Sequence, residues 1–154
     1  MDTVDKKTRS RIMASVGQHD TGPEMKLRCM LHRLGLRYRL NDRRLPGSPD
    51  LVFPRFHAVV FVHGCFWHVH KGCKFSMTPV TRKEFWAEKF EANERRDKRN
   101  YDLLAKSGWR VLVVWECAIK AARKIAGLEK LGSIVANWLR SDELYSEIGA
   151  QNAF

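Results

Sequence analysis

No span of about 18 or more apolar residues occurs in the 154-residue sequence, so no bilayer-crossing helix is expected. No apolar core flanked by basic residues marks a secretion signal either. A soluble, cytoplasmic protein without membrane partners is the expectation. Cysteine is scarce: the four residues at 29, 65, 73 and 117 are too few and too unevenly placed for a disulfide-built secreted domain. Acidic residues are in deficit as well, with 17 Asp and Glu against 28 Lys and Arg and a formal net charge of +11. That balance favours a polyanion, nucleic acid foremost, through phosphate neutralisation and counterion release. A solubilising surface is the plainer account of the same charge. Internal repeats, low-complexity blocks and linkers are missing, so residues 1–154 read as a single domain long enough to bury a core. A monomer is the default.

What is present is concentrated in Val59 to Cys73, VVFVHGCFWHVHKGC. An apolar β-branched run ends at His63-Gly64 and gives way to cysteines, histidines and the pair Phe66-Trp67. Cys65, His70 and Cys73 are separated by four and then two residues, a spacing that lets a tight loop close on one tetrahedral ion. The fourth ligand is expected from Cys117, which follows a second strand-like run, Trp109 to Trp115. Reduced, unligated thiols are the alternative. Zinc in so closed a site would be structural, because no position stays open for water.

Residues 1–18 form a basic segment of helical tendency, with Ile12, Met13 and Val16 as a small apolar edge. A DNA-docking arm and a loosely packed terminus both fit it. Thr21-Gly-Pro-Glu24 has the capping-box pattern with Pro23 in the first turn. The helix it opens is expected to bury Leu27, Met30, Leu31 and Leu34 and to end at Gly35. Glu24 is then a capping carboxylate that can also face a site. A short strand over Leu36 to Leu40 and a turn-rich stretch to Ser48 lead to Pro49-Asp50. Leu51-Val52-Phe53 and His57 to Val62 flank a Pro54-Arg55 turn and read as a hairpin. Asp50, beside a buried strand, must be hydrogen-bonded, paired or metal-bound.

Thr81-Arg-Lys-Glu84 is a second capping box, opening one long helix over 82–106. Its face Trp86, Phe90, Asn93, Asp97, Tyr101 and Leu104 is apolar at both ends and polar in the middle. Asn93 and Asp97 should point toward the sheet and Asp50. Arg95, Arg96, Lys98 and Arg99 read as a solvated or phosphate-facing surface. Ala118 to Ala126 and Leu128 to Leu139 are expected to be helical, and the tail beyond Ser141 carries no clear pattern. The sum is an α/β layer structure with a mixed sheet.

The segments DKKTRSRIM, LPGSPDLVF, VVFVHGCFWH, TRKEFWAEKF and GWRVLVVWEC together resemble the very short patch repair (Vsr-type) mismatch endonucleases over nearly the whole chain. The resemblance implies a restriction-endonuclease-like mixed β-sheet flanked by helices, with a structural zinc. It implies Mg2+-dependent nicking of one strand of double-stranded DNA at T:G mispairs left by 5-methylcytosine deamination. Asp50 matches the carboxylate that holds catalytic Mg2+, Val62 the residue lending its backbone carbonyl, and His68 the general base. Glu24 matches the residue that orients that histidine; His63, Asn93 and Asp97 match its polar surround. The chemistry is consistent, since a hard ion takes oxygen ligands and a neutral imidazole can accept a proton from water.

Three features depart from the pattern. The strand after Asp50 reads Val60-Phe61-Val62-His63, without the acidic-x-lysine pair usual in the wider nuclease fold, so His68 must replace the lysine. Val62 stands where the family has threonine, which matters little if only the backbone oxygen binds metal. Lys71-Gly72 precedes Cys73, leaving one histidine fewer than usual in the zinc loop.

Phe66, Trp67 and Trp86 have ordinary core as their plainer reading. Adjacent aromatics in a metal-tethered loop cannot easily both face inward, however, and such rings can replace lost base stacking when wedged into DNA. Intercalation is therefore the expectation, with Met13 and Val16 as further DNA contacts. A non-catalytic zinc-stabilised DNA-binding module explains charge, aromatics and cysteines, yet leaves Asp50 with His68 unexplained. An HNH-type nuclease lacks its metal histidine on a following helix.

Overall fold

A computed structural model describes residues 21–122 and 124–153. The arm expected at 1–18, with Met13 and Val16, lies outside the described residues.

Helix α1 (Gly22–Arg33) starts at Thr21, whose hydroxyl accepts a hydrogen bond from the Glu24 N–H at 3.3 Å. It stops in a Schellman motif. Gly35 sits at φ +88, and the N–H groups of Gly35 and Leu36 donate to the carbonyls of His32 and Leu31. Leu27, Met30 and Leu31 are buried as expected, whereas Leu34 is 40% exposed. Leu34 has passed the end of the helix, so it no longer follows the buried stripe.

Strands β1 (Arg39–Leu40), β2 (Leu51–Phe53) and β3 (Ala58–His63) pair antiparallel in turn. A single 3-10 turn over Pro54–Phe56 joins β2 to β3. Helix α2 (Lys83–Lys106) then leads to β4 (Arg110–Trp115), which lies parallel to β3 with His63 opposite Trp115. The capping box expected at its start does not set the helix: Arg82 takes the cap position at φ 55, without a side-chain cap bond.

Two boundaries differ beyond β4. The first helix, α3 (Glu116–Ala121), begins directly at the strand end, and the second, α4 (Ile125–Leu139), begins three residues earlier than expected. Gly127 explains the break between them: a Cβ there would stand 3.1 Å from the Ala122 Cα, so the chain folds back tightly on itself. The tail contains a fifth strand, β5 (Tyr145–Ile148), parallel to β4, and a short helix α5 (Ala150–Ala153). Only Ile148 of β5 is buried, so this edge strand left no apolar alternation to read.

The sheet order β1-β2-β3-β4-β5 is thus mixed. Alternation along β3 and β4 divides the core in two. Val60, Leu112 and Val114 meet α1, α3 and α4 on one face, while Val59, Phe61, Val113 and Trp115 meet Leu104 of α2 on the other. The result is three layers, helices over a sheet over one long helix. His63 falls on the α2 face. Val62 turns its side chain to the opposite core, leaving only its backbone at the site. Among the described residues, no helix is long and apolar enough to cross a membrane.

Candidate active site and metal centre

The parallel strands β3, β4 and β5 end on one edge of the sheet, where α/β folds place their ligand sites. Because β2 runs antiparallel to β3, its first residues reach the same edge. Asp50 is held there by the Val62 N–H, which donates to its Oδ2 at 2.7 Å. Along an extended strand a residue's N–H and C=O point to the same side, so the Val62 carbonyl opens toward Asp50 as well. Glu24 from α1 is 2% exposed and hydrogen-bonded to Asp50. It also lies 3.5 Å from Arg28. Burial, and then the Glu24 carboxyl, push Asp50 up to about 8, against the lowering effect of the Val62 N–H. Buried Glu24 and half-buried Asp50 sharing a site, with the Val62 carbonyl on the same side, form an oxygen donor set that suits a hard cation such as Mg2+.

His63 and His68 stack face to face, centroids 3.7 Å apart and planes within 5°. His68 Nδ1 is 2.6 Å from Asp97 Oδ2 on α2. A carboxylate at Nδ1 places the proton there and leaves Nε2 as the acceptor. The orienting contact on His68 therefore comes from Asp97, whereas Glu24, which the resemblance assigns that task, is bonded to Asp50. Asn93 Nδ2 donates to the Trp67 carbonyl at 2.9 Å, so Asn93 and Asp97 pin the 65–68 loop instead of reaching Asp50. His63 is 5% exposed, and the Tyr101 hydroxyl meets its Nδ1 at 3.2 Å. Burial, and then His68 and Arg96 beside it, hold His63 well below the ordinary histidine range. His63, His68 and Asp97 lie close enough to suggest a second metal group. Parallel stacked rings, however, aim their lone pairs side by side and not at a common point.

Val69 adopts φ 53, an uncommon and strained conformation for a β-branched residue. The reversal it makes sends His68 and His70 to different sites. Cys65, His70, Cys73 and Cys117 bring their donor atoms within 4.8 Å of one another. Cys117 Sγ and His70 Nδ1 are 3.4 Å apart, near the roughly 3.6 Å edge of a tetrahedral zinc site with these ligands. Burial pushes the Cys65 and Cys117 thiols up, and a divalent ion would reverse that by binding them as thiolates. The donor set fits zinc. His70 stacks on Trp115 at 4.2 Å, and Trp115 Nε1 donates to Glu147 at 2.9 Å.

Phe66 and Trp67 are half-buried, pack edge-to-face on each other at 5.1 Å and rest against the first turns of α2. Trp86 is 9% exposed beneath them, 5.4 Å from Phe66 and 6.0 Å from Trp67. Of the three expected intercalators, Trp86 is thus the floor of the cluster and the other two its surface. Lys89 lies 5.6 Å over the Trp67 ring.

Several contributors were not expected from the sequence. Tyr101 was placed on the inward face of α2 but not in the site; its position one turn after Asp97 was the available signal. The Ala150 N–H donates to Cys117 Sγ at 3.3 Å and Gln151 to the Gly72 carbonyl at 3.0 Å, so the tail wraps the cysteine cluster. No sequence pattern announced this. Beside His68, a cleft of about 710 Å³ runs between α2 and β5, with Lys71, Lys98, Tyr101 and Glu147 on its walls.

A histidine oriented by a carboxylate, on the same sheet edge as an acidic pair in a basic α/β chain, is an arrangement suited to hydrolysing phosphodiesters. The family pattern described as DNA mismatch endonuclease Vsr matches residues 1–74. The DNA mismatch endonuclease Vsr of Escherichia coli (strain K12) is 41% identical over 150 residues, covering 97% of this chain and 95% of that protein. The type II nicking enzyme V.XorIIP of Xanthomonas oryzae pv. oryzae is 46% identical over 77% of this chain and 86% of its own. V.NmeAIP, a type II nicking enzyme of Neisseria meningitidis, is 40% identical over 87% and 94%. The chain belongs to the Vsr DNA mismatch endonuclease family, and it is a hydrolase of the DNA endonuclease class.

Proposed function

We propose that this endonuclease nicks one strand of double-stranded DNA beside a T:G mispair, by Mg2+-dependent hydrolysis. The observation that carries the reading is that an Asp97-held His68 and the hydrogen-bonded Asp50–Glu24 carboxyls lie on one sheet edge. Asp50 and the Val62 carbonyl would hold Mg2+, which when bound supplies Lewis-acid stabilisation of charge on the phosphate. His68 Nε2 takes a proton from the attacking water, while Asp97 keeps the ring in that tautomer and stabilises the imidazolium that forms. Val62 N–H fixes the Asp50 carboxylate. Glu24 supports Asp50, and His63 backs the His68 ring. Zinc at Cys65, His70, Cys73 and Cys117 holds the loop that carries Phe66, Trp67 and His68.

Phe66 and Trp67 enter the base stack at the mispair, where opening costs least, with Trp86 as their support. Residues 1–18, including Met13 and Val16, dock on the duplex as an arm of this single domain. The protein works as a cytoplasmic monomer. The test is nicking of a T:G duplex and its T:A counterpart by wild type and Asp50→Ala across an Mg2+ titration. Mismatch-dependent nicking by wild type alone is the expected result. Retained nicking by Asp50→Ala, or equal nicking of both duplexes, overturns the reading.

A further inference from the structure

Helix α2 turns a row of residues, Asn93, Asp97, Asn100 and Tyr101, toward the sheet edge, with exposed Arg96 on their flank at steps of three and four from Asn93 and Asn100. The two ends of the row are fixed by contacts. Asn93 bonds the Trp67 carbonyl, and the Asn100 amide packs so closely on Gly47 that a Cβ there would stand 3.0 Å from its Nδ2. The row therefore bridges the 65–68 loop and the 47–50 loop, the two segments that carry His68 and Asp50. Asp97 and Tyr101 are engaged with His68 and His63. Arg96 is one turn from Asn93 and one from Asn100, so its place on the helix lies between the two residues that hold these loops. It is exposed and makes no hydrogen bond or ion pair among the described residues. That position on α2, flanked by the residues bonded to the two loops, is what brings its guanidinium within reach of the catalytic edge.

The need for such a charge is evident in the rest of the site. Strand β3 offers no lysine. Arg28 is paired with Glu24, and Arg44 with Asp42. Lys71, Arg95 and Lys98 line the cleft beside His68, whose walls do not include Asp50. Apart from these and a bound metal, the acidic pair and the stacked histidines bring no permanent positive charge to a phosphate gaining negative charge during attack. A guanidinium fork matches two phosphate oxygens and keeps its charge at any working pH.

We propose that Arg96 is a catalytic residue whose guanidinium hydrogen-bonds the non-bridging oxygens of the scissile phosphate, most strongly in the transition state. This rests on the phosphodiester-hydrolase reading above. In the step it assists, the water oxygen bonds to phosphorus and its proton passes to His68. The bond from phosphorus to the leaving sugar oxygen breaks, its electron pair stays on that oxygen, and solvent protonates it. Arg96 keeps all its protons.

The test is single-turnover nicking of a T:G duplex at saturating enzyme and Mg2+, with duplex affinity measured separately without Mg2+. Arg96→Ala should lose on the order of 10²- to 10³-fold in rate while its affinity changes far less. Arg96→Lys should recover part of the rate. Millimolar guanidinium should speed the alanine variant and not the wild type. Arg99→Ala, removing the same charge one turn away, should stay near wild type. A rate for Arg96→Ala within a few-fold of wild type overturns the proposal alone, as does a loss confined to affinity or an equal loss at Arg99. Failure of the wild type to nick with Mg2+ overturns the underlying hydrolase reading, and this proposal with it.

Discussion

His68 and Asp97 are joined by a 2.6 Å hydrogen bond across 29 residues of sequence, from a metal-cluster loop to the middle of a long helix. The bond assigns the His68 tautomer, and with it the nitrogen that can act as base. His68→Ala should lower the nicking rate by about 10²- to 10⁴-fold while duplex affinity stays within a few-fold. Asp97→Asn preserves an acceptor for Nδ1 but removes the charge that stabilises an imidazolium, so it should fall between wild type and His68→Ala. If Asp97→Asn nicks as fast as wild type, the carboxylate is only a tether for the loop.

The Asp50–Glu24 pair predicts how stability follows pH. In the metal-free fold Asp50 is raised from 3.8 to about 8. Between those values the native state keeps a proton that the unfolded chain has released, so stability contributed by this group is full below about 4 and is lost as pH rises toward 8. Mg2+ selects the ionised form, and its stabilising effect should therefore grow over the same range. Urea midpoints at pH 5 and pH 8, with and without Mg2+, check both slopes. Asp50→Asn should flatten them; an unchanged pH slope in that variant would remove Asp50 as their source.

How the tail meets the cysteine cluster gives a third prediction. A Cβ on Gly149 would lie 2.9 Å from His70 Cε1, 3.1 Å from its Nε2 and 3.8 Å from the Cys117 Sγ. Gly149→Ala should push His70 out of place, costing about 1 to 3 kcal/mol and lowering zinc content. Wild type should carry one zinc per chain, and Cys117→Ser should lose both metal and melting temperature by a larger margin. Metal analysis and thermal melts decide this. Full zinc and an unchanged melting temperature in Gly149→Ala would mean the tail yields freely.

What the sequence revealed follows what its patterns encode. Strands β3 and β4 are buried on both faces and show as uninterrupted apolar runs, and the inward stripe of α2 stood out at helical spacing. The cysteine cluster was legible because its ligands are rare residue types at short spacing. Partner choice among acids was not. Glu24 and Asp97 are both inward carboxylates, and only the packing of α1 and α2 against the sheet decides which meets Asp50 and which meets His68. Strand β5 was hidden for a related reason, since three of its four residues are not buried and its place comes from pairing with β4.

The aromatic cluster separates support from insertion. Trp86 is nearly buried beneath Phe66, Trp67 and Phe90, so Trp86→Ala should act first on the fold, costing about 3 to 5 kcal/mol as a large core truncation. Trp67 is only half-buried and rests on that floor, which lets its indole leave the surface for the base stack without unfolding the loop. Trp67→Ala should therefore lower melting temperature less than Trp86→Ala does. It should weaken T:G duplex binding by about 1 to 3 kcal/mol, the usual worth of one ring stacked on a base. Matched DNA should lose less, because opening a paired step takes back most of what stacking returns. Both affinities need one salt concentration, since phosphate contacts dominate the total. Equal weakening on the two duplexes would make Trp67 a contact without selectivity, and a melting temperature as low as that of Trp86→Ala would make it core.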